Sequence, residues 1–308
     1  MTGVHSAAGA RPLLPPAHEG PLPPAHVAAD GVRTVNAIPY AGVPGYRPLE
    51  LDLILPPEAV GPVPVVVFLH GGGWRVGSRS TVGPAYAGTR PTPFERLALA
   101  GIAVASVDYR LSAEATWPAP LHDVKAAVRW LRARGSEAGL DTTRIAAWGE
   151  SAGGHLAALL GLTGNSAALE GEIGYTGPSS AVDAVVGWYT PSDLGAVATD
   201  LGADPDAPDS REAQLLGGPV TADPERTAEA SPITYAGPGA PPFLLLHGTA
   251  DRLISVRQSE RFAALLPGAT LELFDGADHM WRGAPEAAAA ALDRTVTFLR
   301  AHLLPSGR

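Results

Sequence analysis

Trp148-Gly149-Glu150-Ser151-Ala152-Gly153 decides how this chain folds. It joins a short apolar run, Ile145-Ala146-Ala147-Trp148, to a stretch of small residues with helical character at 152–162. A serine flanked at two residues by glycines, between strand and helix, marks a sharp turn that lifts a hydroxyl above a sheet. The glycines are required because such a turn presses its neighbours against strand and helix. A glycine-rich βα turn that merely packs a helix is the plain alternative. The strand before and the helix after favour Ser151 as a nucleophile.

Working outward, residues 63–69 and 101–109 are apolar runs of the kind buried on both faces of a parallel sheet. Residues 122–133 place Val124, Ala127, Val128 and Leu131 on one helical face. Further strands are predicted at 184–188, 243–246 and 271–274, and helices at 255–266 and 285–303. Residues 49–55 alternate apolar and polar, as an edge strand pairing antiparallel with 31–38 would. This alternation predicts an α/β fold, with a mostly parallel central sheet and helices on both faces. One catalytic domain is expected over 31–308, behind a flexible Pro- and Ala-rich arm at 1–30. Residues 163–182 and 194–239 are long, polar and rich in Gly, Pro and Asp, and are candidate lids.

The 308 residues carry net charge -9 and no cysteine. Disulfides, thiolate chemistry and cysteine metal sites are thereby excluded. No basic cluster suits nucleic acid, and no apolar stretch suits a membrane span. The first residues lack a basic start followed by an apolar run, so a cytoplasmic protein is expected. Dinucleotide, phosphate-loop and H-E-x-x-H motifs are missing, so neither cofactor nor metal is expected.

Three other stretches complete the chemistry. His70-Gly71-Gly72-Gly73-Trp74 follows a buried strand. Its glycines can aim N–H groups at a developing negative charge, so Gly72 and Gly73, with the Ala152 N–H, are the candidate oxyanion donors. Asp251, in His247-Gly248-Thr249-Ala250-Asp251, closes another strand and is the candidate acid, with Asp275 and Asp278 as rivals. His279 follows the last strand and is the candidate base among nine histidines. Trp74, Met280 and Trp281 adjoin these groups in sequence and are expected to wall the substrate. Trp188 and Tyr189 lie equally well in cleft or core. The substrate is then a small-molecule ester or amide. A silent binding protein on the same scaffold has no use for all these groups.

In combination, Leu51-Asp52-Leu53, the His70–Trp74 loop, Asp108-Tyr109-Arg110-Leu111, His122-Asp123-Val124-Lys125-Ala126-Ala127, Gly149-Glu150-Ser151-Ala152-Gly153-Gly154-His155-Leu156-Ala157 and His247-Gly248-Thr249-Ala250-Asp251 resemble one family over residues 50–303. It is the hormone-sensitive-lipase-like group of bacterial esterases. The branch with acetylxylan- and feruloyl-type esterases and kynurenine formamidase-like hydrolases is the most similar. The resemblance implies an α/β-hydrolase fold, the chain order Ser, Asp, His, and hydrolysis of esters of short acyl groups. Amidase or biosynthetic tailoring chemistry with the same triad is the alternative. Asp278-His279-Met280-Trp281 departs from the Gly-His-Gly-Phe common in such enzymes.

Overall fold

A computed structural model describes residues 16–58 and 61–304. Among the described residues nine strands form one sheet: β1 (His26–Val27), β2 (Arg33–Ala41), β3 (Leu49–Leu55), β4 (Val63–Leu69), β5 (Ala103–Val107), β6 (Leu140–Glu150), β7 (Val185–Trp188), β8 (Phe243–Gly248) and β9 (Thr270–Phe274). Their order is β1-β2-β3-β5-β4-β6-β7-β8-β9. The pairs β1–β2, β2–β3 and β3–β5 are antiparallel, and all others are parallel. The helices are α1 (Pro93–Leu99), α2 (Ala119–Arg134), α3 (Ala152–Leu162), α4 (Val197–Asp200), α5 (Arg211–Leu216), α6 (Pro224–Glu229), α7 (Arg257–Leu265) and α8 (Pro285–Leu303).

The two-residue period of the strands splits the core. Val65, Val67 and Leu69 of β4 face one cluster, with Val124 of α2, Leu156 of α3 and Phe262 of α7. Val66 and Phe68 face the other, with Leu97 of α1 and Leu292 and Leu299 of α8. Both faces are covered, which is why β4 reads as a continuous apolar run. The α/β-hydrolase architecture expected from the sequence is the one observed.

Three segments add to that reading. Helix α1 starts at a capping box. Thr92 Oγ1 accepts from Glu95 N–H at 3.2 Å and Glu95 Oε2 accepts from Thr92 N–H at 2.6 Å, with Pro93 in the first turn. Residues 163–182 are pinned to α2 by two buried cations. Lys125 Nζ donates to Thr163 O at 2.7 Å, and Arg129 donates to the carbonyls of Glu170 and Ile173, each at 2.8 Å. None of these twenty residues borders the cavity lined by Ser151 and His279, whereas 194–239 contributes Arg211 to it. Of the arm expected at 1–30, residues 1–15 lie outside the described residues. Beyond them the chain is held, not loose: Arg134 Nη1 donates to the carbonyls of His18 at 2.8 Å and Gly20 at 2.7 Å, and β1 extends the sheet.

Candidate active site

Strands β4, β6, β7 and β8 run side by side and parallel, and the site lies beyond their carboxyl ends, where open α/β sheets place ligands. Ser151 sits between β6 and α3 at φ 53° and ψ -120°, a conformation costing about 1–3 kcal/mol in a non-glycine residue. The surroundings enforce it. A Cβ on Gly149 would lie 2.1 Å from the Gly153 carbonyl oxygen, and one on Gly153 would lie 1.9 Å from that of Leu69. Only glycine lets strand, turn and helix approach so closely.

The hydroxyl meets a histidine. His279 Nε2 is 3.0 Å from Ser151 Oγ, and its Nδ1 is 2.6 Å from Asp251 Oδ2. Asp251 Oδ1 also accepts from the N–H groups of Leu253 and Ile254, each at 2.8 Å. Its Oδ2 lies 3.2 Å from His247 Nε2. Burial alone would raise this carboxyl. Hydrogen bonds from His247 and His279 outweigh it and hold Asp251 well below the usual carboxylate range, so it stays ionised. The rival acids point elsewhere. Asp278 Oδ1 accepts from the backbone of His279 at 2.7 Å and of Arg252 at 3.1 Å, and Asp275 Oδ1 accepts from Thr249 Oγ1 at 3.1 Å.

Gly72 and Gly73 have φ of 114° and 61° and line the same cavity as Ser151 and His279. Their N–H groups donate to nothing among the described residues. The Ala152 N–H opens helix α3, where the first N–H groups have no partner within the helix. A Cβ on Gly72 would strike the Val76 carbonyl oxygen at 2.0 Å. His70 braces the loop from behind, its ring stacked on Tyr109 at 4.4 Å while the Tyr109 hydroxyl donates to the His70 carbonyl at 2.8 Å.

Comparison with known proteins follows the same outline. The family model BD-FAE matches residues 51–266, more than two thirds of the chain. The chain belongs to this family. Esterase LipC of Mycobacterium tuberculosis is 38% identical over 249 residues, covering 75% of this chain and 58% of its own. The chain spans about half the length of the curated relatives it matches. Among solved structures, a truncated carbohydrate esterase from gut microbiota is 26% identical, with a TM-score of 0.77 over 91% of this chain and 99% of that one. A propionate-bound thermophilic esterase of the planctomycete Thermogutta terrifontis is 27% identical, with a TM-score of 0.68 over 90% and 97%. These findings agree with the resemblance to hormone-sensitive-lipase-like esterases carried by the motifs.

In this BD-FAE chain the cavity measures about 750 Å³. Of the five candidate substrate-contacting side chains, Trp74, Trp188, Tyr189, Met280 and Trp281, Met280 alone borders it among the described residues. Trp74, Trp188, Tyr189 and Trp281 are each at most 1% exposed and belong to the core. Trp74 packs edge-on against His155 at 5.0 Å. Trp188 donates its Nε1–H to Thr295 Oγ1 at 3.0 Å, and Trp281 stands against Tyr189 at 5.0 Å and Phe274 at 5.2 Å. Burial of so much apolar surface decides their direction, and sequence adjacency to the site does not.

The sequence reading also passed over Glu150, the acid inside the elbow. It is 5% exposed. Its Oε1 accepts from Gly83 N–H at 3.0 Å and its Oε2 from the Tyr189 hydroxyl at 2.9 Å. The Tyr189 ring in turn packs 4.5 Å from the His279 ring. Burial pushes the Glu150 carboxyl up, against the pull of these donors. One carboxylate thus ties the cavity rim to the ring beneath His279. An acid at the end of a buried strand was the available signal.

Proposed function

We propose that this chain is a serine hydrolase cleaving carboxylic esters of short acyl groups through an acyl-enzyme. One observation carries the reading: a strained, cavity-lining Ser151 hydroxyl 3.0 Å from His279 Nε2, whose Nδ1 meets a buried Asp251 at 2.6 Å. Asp251 fixes the tautomer with Nδ1 protonated, leaving Nε2 to take the Ser151 proton. Ser151 Oγ attacks the ester carbonyl, and the N–H groups of Gly72, Gly73 and Ala152 receive the oxyanion. Collapse expels the alcohol, which leaves with the proton from His279. Water, deprotonated by His279, then attacks the acyl-enzyme, and the acid departs as Ser151 regains its proton.

The names of the relatives support ester chemistry, and the propionate bound by the Thermogutta esterase supports a short acyl group. The cavity is far larger than an acetyl or propionyl group and has room for a substantial alcohol.

Turnover of p-nitrophenyl acetate tests the reading. Ser151→Ala is expected to lower kcat by roughly 10⁶, the scale of nucleophile loss in serine triads. It should unfold at the same denaturant concentration, since alanine bears the same backbone strain as serine. Near-normal kcat in the folded variant contradicts the assignment. Faster turnover of formanilides than of acetates moves it to amides.

A further inference from the structure

We infer that the substrate carries an anionic group, such as a carboxylate, beside the ester to be cleaved. The inference rests on the ester-hydrolase reading of the same cavity. Two guanidinium side chains, Arg75 and Arg211, line that cavity together with Ser151 and His279. Glu150 is the only acid among the described residues that line it, and both its oxygens already accept hydrogen bonds.

Arg75 is not spent on the fold, and Arg211 is spent only in part. Arg75 follows the oxyanion loop directly and is exposed, and its guanidinium has no hydrogen-bond partner or acid within 4.0 Å among the described residues. Arg211 comes from the 194–239 excursion and lies over the oxyanion loop. A Cβ on Gly73 would meet its Cδ at 2.7 Å, so its stem occupies the space that a side chain at 73 would fill. The guanidinium makes one hydrogen bond, Nη2 to the Leu253 carbonyl at 3.2 Å. The buried Glu212 pairs with it only loosely, its Oε1 3.9 Å from Nε and beyond hydrogen-bond reach. A guanidinium has five donors, so most of those on Arg211 remain free.

The surrounding charge makes this placement informative. The chain carries net charge -9, so its overall field repels anions. Two cations line the cavity that holds the Ser151–His279 pair, where each attracts an anion locally against that overall charge. A planar guanidinium suits a carboxylate because it can offer two parallel N–H groups. The anion belongs on the acyl group or on the alcohol, and the two placements share the same chemistry.

Paired esters test the inference. On the acyl side, the p-nitrophenyl monoester of glutaric acid is compared with the matching glutaramate. On the alcohol side, 4-acetoxybenzoate is compared with 4-acetoxybenzamide. Spontaneous hydrolysis is subtracted throughout. In at least one pair the charged ester should have the higher kcat/KM by about ten-fold, the size of one guanidinium–carboxylate contact. That ratio should fall toward one in Arg211→Gln and Arg75→Gln and recover in Arg211→Lys. In the wild-type enzyme it should shrink as salt rises from low to high. No preference for the charged member of either pair, or a preference indifferent to both salt and the arginines, overturns the inference and leaves the esterase reading intact. Absence of turnover of all four esters overturns both.

Discussion

Asp251 is held by two backbone N–H groups and faced by two histidines, and it leaves His279 only one tautomer. Asp251→Asn would offer His279 an amide that can donate where a carboxylate must accept. Its kcat is expected to fall by about 10⁴. Asp275→Asn and Asp278→Asn, whose oxygens serve hydroxyl and backbone donors, should stay within about ten-fold of wild type. Steady-state kinetics of the three variants decide the matter, and a crippled Asp278→Asn would contradict the assignment. The meeting of Ser151, Asp251 and His279 was legible in the sequence because each lies within five residues after the end of a strand, and strand ends converge at one edge of a parallel sheet. Trp74 and Trp281 were misread because neighbours along a chain can point to opposite sides. Both lie at positive φ, 57° and 58°, in turns that no residue pattern announced.

Trp281 belongs to an element with a packing task. The turn after β9 wedges its indole among Trp188, Tyr189 and Phe274, closing one face of the sheet beneath His279. Trp281→Ala is expected to cost about 3–5 kcal/mol of stability, read from the urea midpoint, because it leaves a large void. Its preference among acetyl, butyryl and decanoyl p-nitrophenyl esters should match wild type, since the indole does not border the cavity, whereas Met280→Ala should shift that preference. A wild-type midpoint for Trp281→Ala would contradict the packing. The regular elements were readable wherever apolar period and length agreed, as in α2, whose Val124, Ala127, Val128 and Leu131 are all buried. Helices α5 and α6 have six residues each, too few for a helical period to show. The anchoring of 163–182 was hidden for another reason. Lys125 and Arg129 look like solvent-facing residues in the sequence, yet each is 0% exposed and bonded to that segment's carbonyls.

At the scale of the whole molecule, stability should depend on pH through a buried histidine that joins the excursion to the body. His155 of α3 is 0% exposed, and its Nε2–H donates to the Ala230 carbonyl at 2.6 Å. Burial brings its pKa down to about 4, against about 6.5 in an unfolded chain. Below about pH 6.5 the unfolded chain binds a proton that the folded chain refuses. Stability is therefore full above that value and falls as the pH drops toward 4, by up to about 1.4 kcal/mol per unit. Urea unfolding at pH 7 and pH 5 should show a smaller acid loss in His155→Gln than in wild type, and equal losses would contradict this. The most direct test of the central claim is covalent labelling with an organophosphonate followed by mass spectrometry of the intact and digested protein. We predict one adduct per chain, on the peptide containing Ser151, and no adduct with Ser151→Ala. An adduct on another serine, or undiminished labelling of the variant, would contradict the assigned nucleophile.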